Sequence, residues 1–474
     1  MSIPGLGQII PQATAASTTT ARRTITLRPG QEWRFTAPRR STSGVTVRLL
    51  NGTAERDGTA LAVNRTYTFI RTKSKLFSWH GCILEVEGDC EDYVAEFNKP
   101  EDNVHMVMCS NLHDALQTQR QLVSRGTSQQ QGPRVLVCGA ANTGKTTLVR
   151  TLAALATRMG AQPVIANLDP GEGLLSMPGT MSSAVFGNLM DVEDPAGGFG
   201  VRSSPSTGPS AVPVKTPLVY YFGHKRVEDD AELWKELAAK MAGQVRNKLR
   251  SVDEARSAGL VVDTPAVDLR GVDGGVTGAV DMLAHAVREF TINVVVVLDS
   301  LELEAKLQRR FAGEKTLLGE TITVCGVEKS DGVAERDEAW IKADGEAVIK
   351  EYFFGDAKRT LSPFTLSIDY DELAVFKAVD ADSEYYDPEE EKQPALERAE
   401  ISPEMSNWTL AVMDAHANQP LDTIRQAPVM GFIAVADVDE DKRRLKYLSP
   451  VGGRLGDKAL IWGRWPEPYL NLLG

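Results

Sequence analysis

Residues Gly139 to Thr146 read GAANTGKT, which places two glycines, a lysine and a threonine at the spacing G-x-x-x-x-G-K-[ST]. That set can grip a polyphosphate. Glycines let the backbone curl round an anion and turn its N–H groups inward, and a following helix N-terminus adds positive dipole. Lys145 would then reach the β- and γ-phosphates, and the Thr146 hydroxyl would ligate Mg²⁺. The candidate triphosphate-binding residues are Gly139, Ala141, Asn142, Thr143, Gly144, Lys145, Thr146 and Thr147. A glycine-rich turn without a ligand is the competing interpretation.

Phosphate chemistry also needs carboxylates. Asp263, in LVVDT (260–264), ends an apolar β-branched run and suits a metal-holding role, with helix capping as the alternative. Asp169, in NLDPGEG (167–173), could position metal or deprotonate an acceptor hydroxyl, or could simply open the Pro170-Gly171 turn. Asp169 and Lys145 are the candidate catalytic residues, and Thr146 and Asp263 the candidate metal ligands. Asp299 ends a valine-rich run and reads as a turn residue, with contact to a base edge as the alternative.

These side chains need strands and helices to hold them. Val135-Leu136-Val137 reads as a strand feeding the loop. Thr146 to Arg158 follows as a helix, with Leu148, Val149, Leu152 and Leu155 at helical spacing and Gly160 as its stop. Buried-strand runs recur at 163–169, 260–264 and 292–299, separated by helical stretches that include 231–251 and 276–289. Such alternation predicts an α/β domain over 132–355, a P-loop NTPase-like and mainly parallel sheet with ligands at the carboxyl ends of its strands. Residues 192–215, rich in Gly, Pro and Ser, read as a mobile insertion.

On either side the pattern is β. Residues 24–124 read as a small N-terminal β domain ending in a helix over 108–124, with Asn51-Gly52 and Asp57-Gly58 as turn signals. Residues 1–23 read as a flexible N-terminus and SQQQG (128–132) as a linker. Residues 356–474 read as a small C-terminal β-rich domain that includes an acidic run, 387–391, expected to be a solvated loop.

The 474-residue chain carries a formal net charge of -12, which argues against broad, unaided binding to nucleic-acid phosphates and favours a protein partner. Its five cysteines show no C-x-x-C spacing, so neither a zinc site nor a disulfide framework is expected. No apolar run reaches membrane-spanning length and no secretory leader is evident. The basic stretch KRRLK (442–446) reads as a solvated hairpin, with RNA contact as the alternative.

In order along nearly the whole chain come QEWRFTAP (31–38), GTAERDGTAL (52–61), GPRVLVCGAANTGKTTLVRTL (132–152), NLDPGEG, GLVVDTPAV (259–267), NVVVVLD (293–299), VIKEYFFG (348–355), LSPF (361–364) and GFIAVADVDEDKRRLKYLSPVGGRL (431–455). With these the chain resembles the polynucleotide 5′-hydroxyl kinase family that includes the ATP-binding subunit of the pre-mRNA cleavage factor, and within it the fungal cleavage factor IA branch. The resemblance implies three domains, with ATP and Mg²⁺ between the first two. It makes Glu32 the reader of the adenine edge and Lys73 a basic neighbour of the base. The residues alone would pass for surface charges.

Active members of that family move the γ-phosphoryl of ATP to an RNA 5′-hydroxyl, using closely spaced lid arginines. Here the equivalent segment, 335–350, has the single arginine Arg336, and Ile341, Lys342 and Gly345 fall where the others are expected. Val267 stands where active animal members have a base-stacking tryptophan, and Glu172 where a glutamine is expected. The implied function is an ATP-holding scaffold subunit of the nuclear 3′-end cleavage and polyadenylation machinery, without efficient turnover. The implied partners are the cleavage factor IA scaffold protein that contacts the RNA polymerase II tail and other 3′-end processing factors, with RNA contact indirect or weak. The alternative is an active ATP-dependent RNA 5′-hydroxyl kinase.

Overall fold

The structure, a computed structural model, describes residues 22–38, 44–126, 131–194, 199, 217–267, 275–356, 360–379, 396–453, 455–470 and 472. Residues 1–21 of the expected flexible N-terminus, the acidic run 387–391 and nearly all of the expected 192–215 insertion lie outside these residues, whereas Arg22 and Arg23, also expected in that N-terminus, pair with Glu87 and Val86 and open a strand.

The first described layer is a β sandwich. One sheet orders its strands Arg22–Leu27, Cys82–Glu87, Val45–Gly52 and Thr66–Phe69. The other orders Thr59–Ala60, Glu55–Arg56, Lys73–Phe77, Glu32–Thr36 and Glu91–Ala95. Period-two alternation buries Val45, Val47 and Leu49 against Trp33, Phe35 and Phe69. Asp57-Gly58 is a two-residue hairpin turn, with both residues at positive φ and Arg56 paired with Thr59. Asn51-Gly52 is not a hairpin turn. It closes the long strand Val45–Gly52 beyond a register shift between Leu49 and Asn51, and both residues still pair with Cys82–Glu87.

Helix Val104–Ser124 starts four residues before the expected 108, because the Asn103 side chain accepts a hydrogen bond from Met106 N and caps it. It leads to the central sheet, ordered Leu218–Tyr221, Thr180–Val185, Val164–Asn167, Leu260–Asp263, Arg134–Gly139, Val294–Leu298 and Thr323–Val327. The last five of these run parallel. Thr180–Val185 is antiparallel to its neighbours on both sides, so the sheet is mixed at one edge. Every residue of Arg134–Gly139 and Val294–Leu298 is buried, as expected of strands covered on both faces. Helix Lys145–Arg158 packs Leu148, Val149 and Leu152 on one face of the sheet, and helix Ala231–Ser251 packs Leu233, Leu237 and Met241 on the other.

A third sheet follows, ordered Phe364–Asp369, Arg444–Ser449, Val429–Asp439, Thr409–His416, Lys458–Trp462, Ala374–Lys377 and Glu397–Arg398. It is antiparallel except where Ala374–Lys377 lies beside Lys458–Trp462. Between this sheet and the central one runs helix Glu338–Phe354, whose Asp337 side chain caps Trp340 N. No helix among the described residues is long and apolar enough to cross a membrane.

Candidate functional site

The loop between strand Arg134–Gly139 and helix Lys145–Arg158 is built by its glycines. Gly139 has φ +154, and a Cβ there would lie 2.8 Å from the Leu298 carbonyl. Gly144 has φ +92 and supplies the left-handed step into the helix. Asn142, at φ +53, is the one non-glycine of the loop in that region. Lys145 Nζ and Thr143 Oγ1 both donate to the Ala140 carbonyl at 2.9 Å, which curls the loop over its own backbone.

Asp263 lies at the carboxyl end of the neighbouring strand, 2% exposed. Its Oδ2 accepts from the Thr146 hydroxyl at 2.6 Å, and its Oδ1 is buried with no partner. Burial pushes its carboxyl up to about 6, against the pull of Thr146 and Lys145. A buried carboxylate oxygen without a donor, beside a hydroxyl at the first turn of a helix, is a hard-oxygen set that fits Mg²⁺. The two residues named from the sequence as metal ligands are thus adjacent in space.

Asp169 lines the same cleft one strand further on. Its Oδ1 accepts from Gly171 N at 2.9 Å, so it also forms the turn that the sequence allowed. Burial, helped by the neighbouring Glu172 carboxylate, pushes Asp169 up to about 7. Asp299 is exposed, with φ +55, and its amide bonds the Val327 carbonyl. It is a turn residue. Val267 is 7% exposed and packs in the core with Val262 and Leu283.

The opposite wall comes from the N-terminal sandwich and the lid helix. The Asp57-Gly58 hairpin tip sits along the middle and last turns of the phosphate-loop helix, where Arg150 pairs with Asp57 at 3.4 Å and Arg158 with Glu55 at 3.0 Å. Lys73 lines the cleft, donates to the Glu335 carbonyl at 3.0 Å and lies 4.7 Å from the Trp340 ring centroid. Glu32 is not a surface charge, for it has no exposure at all. Burial would raise its carboxyl, but Lys75 at 2.6 Å, Asn103 at 2.9 Å and Arg34 at 2.9 Å hold it below the ordinary value. Its neighbour Lys75 reaches the cleft and bonds Ser330 Oγ at 3.2 Å.

From the lid, Ile341, Asp344, Gly345 and Val348 face the cleft. Lys342 faces away and pairs with Glu467 at 3.2 Å. Arg336 reaches the cleft mouth, where both of its terminal nitrogens bind Glu172, at 2.8 and 2.6 Å. Sequence reasoning missed the cleft cations Arg56, Arg71, Lys75 and Arg150. Arg150 alone carried a signal, since it follows Thr147 by one helical turn and bonds its hydroxyl at 3.1 Å. The basic stretch 442–446 is a hairpin whose Lys442, Arg443 and Arg444 pair with Asp439, Asp371 and Asp369. Among the described residues no cluster of His, Cys, Asp or Glu could by itself hold a metal.

The sequence matches three family descriptions in series. These are the N-terminal beta-sandwich domain of polyadenylation factor over 26–123, the mRNA cleavage and polyadenylation factor CLP1 P-loop over 139–355, and pre-mRNA cleavage complex II protein Clp1 over 361–467. Proteins named mRNA cleavage and polyadenylation factor CLP1 from Chaetomium globosum and Neurospora crassa are 52% and 51% identical to it, over 100% of both chains. Two solved structures, one of a wild-type Clp1p-Pcf11p complex and one on an extended Pcf11p–Clp1p interface and ATP loss in a glycine-to-arginine mutant, have a TM-score of 0.80 and 26% identity. They cover 94% of this chain, and 98% and 99% of their own. The fold, the loop and these matches agree that the chain belongs to the Clp1 family of mRNA cleavage and polyadenylation factors.

Proposed function

We propose that this chain is an ATP-holding scaffold subunit of the nuclear pre-mRNA 3′-end cleavage and polyadenylation machinery. ATP and Mg²⁺ are held between the N-terminal sandwich and the central sheet, and turnover is inefficient. Gly139, Ala141, Asn142, Thr143, Gly144, Lys145, Thr146 and Thr147 hold the phosphates, Thr146 and Asp263 the metal, and Glu32 and Lys73 shape the base side. Glu32 acts there through Lys75, because its own oxygens are taken by donors from within the protein. When bound, Mg²⁺ would neutralise β- and γ-phosphate charge.

The observation that carries the reading is the contrast between the two sides of the cleft. The floor offers Lys145, Thr146 and an undonated Asp263 oxygen. The lid offers an isoleucine, an aspartate and a glycine, with its one cleft-facing arginine already paired. Losing one transition-state donor costs on the order of 10²–10³ in rate, so a lid of this composition retains a triphosphate better than it transfers one. Bound ATP then stabilises the clamped domains, by roughly 4 kcal/mol at a thousandfold excess over Kd. The partners are a cleavage-factor scaffold protein of the Pcf11 kind, which in turn contacts the RNA polymerase II tail, and other 3′-end processing factors. Direct RNA contact is weak, in keeping with the net charge of -12.

The test is purification of the full chain without added nucleotide, chromatography of what co-purifies, and incubation with γ-labelled ATP and a 5′-hydroxyl RNA oligonucleotide. Co-purified ATP without label transfer supports the scaffold. An empty protein, bound ADP, or transfer that vanishes in Lys145→Ala overturns it, the last in favour of an active RNA 5′-hydroxyl kinase.

A further inference from the structure

Helix Glu338–Phe354 touches all three parts of the protein. Its last turns carry Ile349, Tyr352 and Phe353 into the core of the C-terminal sheet, where the Tyr352 hydroxyl accepts from Phe432 N at 2.9 Å. Its first turn and the segment before it lie over the cleft. Two side chains reach across to that end. Lys73 reaches it from the sandwich, and Glu172 reaches it from the loop after strand Val164–Asn167 through Arg336.

The second contact has the stronger geometry. Both guanidinium nitrogens meet both carboxylate oxygens, the paired fork that makes arginine–carboxylate bonds directional. A guanidinium committed in this way cannot also bracket a phosphate. Pairing with Glu172 holds the Arg336 charge firmly, even against the burial that opposes it. Asp344, on the same face of the lid, adds a second negative neighbour.

We propose that the Glu172–Arg336 pair is a clasp that holds the free end of the lid helix down on the central domain and sets how fast nucleotide enters and leaves. The clasp rests on the reading of the cleft as an ATP site, but its closure does not need ATP to be seen. The hinge is the packed C-terminal half of the helix, and the moving part is residues 335–345. Opening the clasp lifts Ile341 and Trp340 away from the cleft and leaves the phosphate loop in place.

The test uses the full chain as wild type, Glu172→Gln, Arg336→Gln and the double variant. Both side chains are partly exposed, at 41% and 33%, so the substitutions leave the cores intact. Hydrogen exchange of amides 338–345 is measured without nucleotide, and release of a methylanthraniloyl-ATP probe with Mg²⁺ is measured by chase. Each single variant should raise both rates by about fivefold, the scale of a partly exposed bidentate pair. The double variant should be no faster than either single one, because both substitutions remove the same bond. Unchanged lid exchange in Glu172→Gln, or single effects that multiply in the double variant, overturns the clasp. Lid exchange that rises as expected in a chain that takes up no probe supports the clasp and removes the ATP reading instead.

Discussion

The Thr146 hydroxyl lies 2.6 Å from Asp263 Oδ2, while Oδ1 of the same buried carboxylate meets no donor at all. An unmatched carboxylate oxygen in the interior is costly unless something positive arrives to satisfy it. The phosphate-loop helix and the neighbouring strand share this pair, so the cost is borne at the one place where a metal-bound triphosphate would relieve it.

Asp263→Asn should therefore separate folding from binding. An amide fits the same space, takes the Thr146 bond, and removes the charge that a divalent cation needs. Titration calorimetry should show the Mg²⁺-dependent part of ATP affinity falling by about tenfold or more, roughly 1.4 kcal/mol. The thermal midpoint of the nucleotide-free protein should be unchanged or higher. A variant that keeps wild-type Mg²⁺ dependence would remove Asp263 from the metal's surroundings.

Asp169 gives a pH signature. Burial holds its folded value near 7, well above the unfolded value of about 3.9. The folded state therefore keeps a proton that the unfolded state has lost, and stability falls as pH rises through the interval from about 4 to 7. Asp169→Asn cannot titrate. Thermal melts of the nucleotide-free chain between pH 5 and 7 should show the wild type losing stability relative to this variant, by at most about 1.4 kcal/mol per pH unit. Parallel curves would mean that Asp169 is ionised throughout.

Much of this was legible in the sequence, for physical reasons. The phosphate loop is local, with its strand, glycines and helix inside twenty-five residues, so spacing alone locates it. The valine-rich strands were legible because strands covered on both faces have no polar side to confuse the pattern. Strands toward the two ends of the sheet were harder. Thr323–Val327 is partly exposed and lacks that apolar run, and Thr180–Val185, though buried, contains Thr180, Ser182 and Ser183. The cleft's second wall was largely invisible. Arg56, Lys75 and Trp340 meet the phosphate loop only through long-range packing, and no spacing rule links them. Asn51-Gly52 misled because its turn signal is equally at home at a bulged strand end, where Gly52 takes φ +84.

Glu32 shows how far a buried charge can differ from a surface one. Lys75, Arg34 and Asn103 all donate to it from separate elements. Glu32→Ala would leave two cations facing an apolar gap, and breaking a buried pair of this kind costs about 3–5 kcal/mol. Denaturant unfolding of the nucleotide-free protein should show that loss, and Glu32→Gln should recover part of it by keeping the Asn103 and Lys75 contacts. If Glu32 acted only on the base, unfolding would be unaffected and ATP affinity alone would drop.

Gly58 tests how the sandwich is seated on the phosphate loop. It stands at φ +79, and a Cβ there would lie 3.0 Å from the Thr151 carbonyl and 3.2 Å from Leu155 Cγ, both on the phosphate-loop helix. Gly58→Ala therefore adds left-handed backbone strain, about 1–2 kcal/mol, to a contact that only a tilt of the hairpin can relieve. That tilt pulls Asp57 away from Arg150, a cation at the cleft floor. The variant should melt a few degrees lower and bind ATP more weakly, and excess Mg²⁺ should not restore the affinity, because the metal's surroundings are untouched. A lower melting point with undiminished ATP affinity would mean that the hairpin only braces the fold and does not shape the nucleotide cleft.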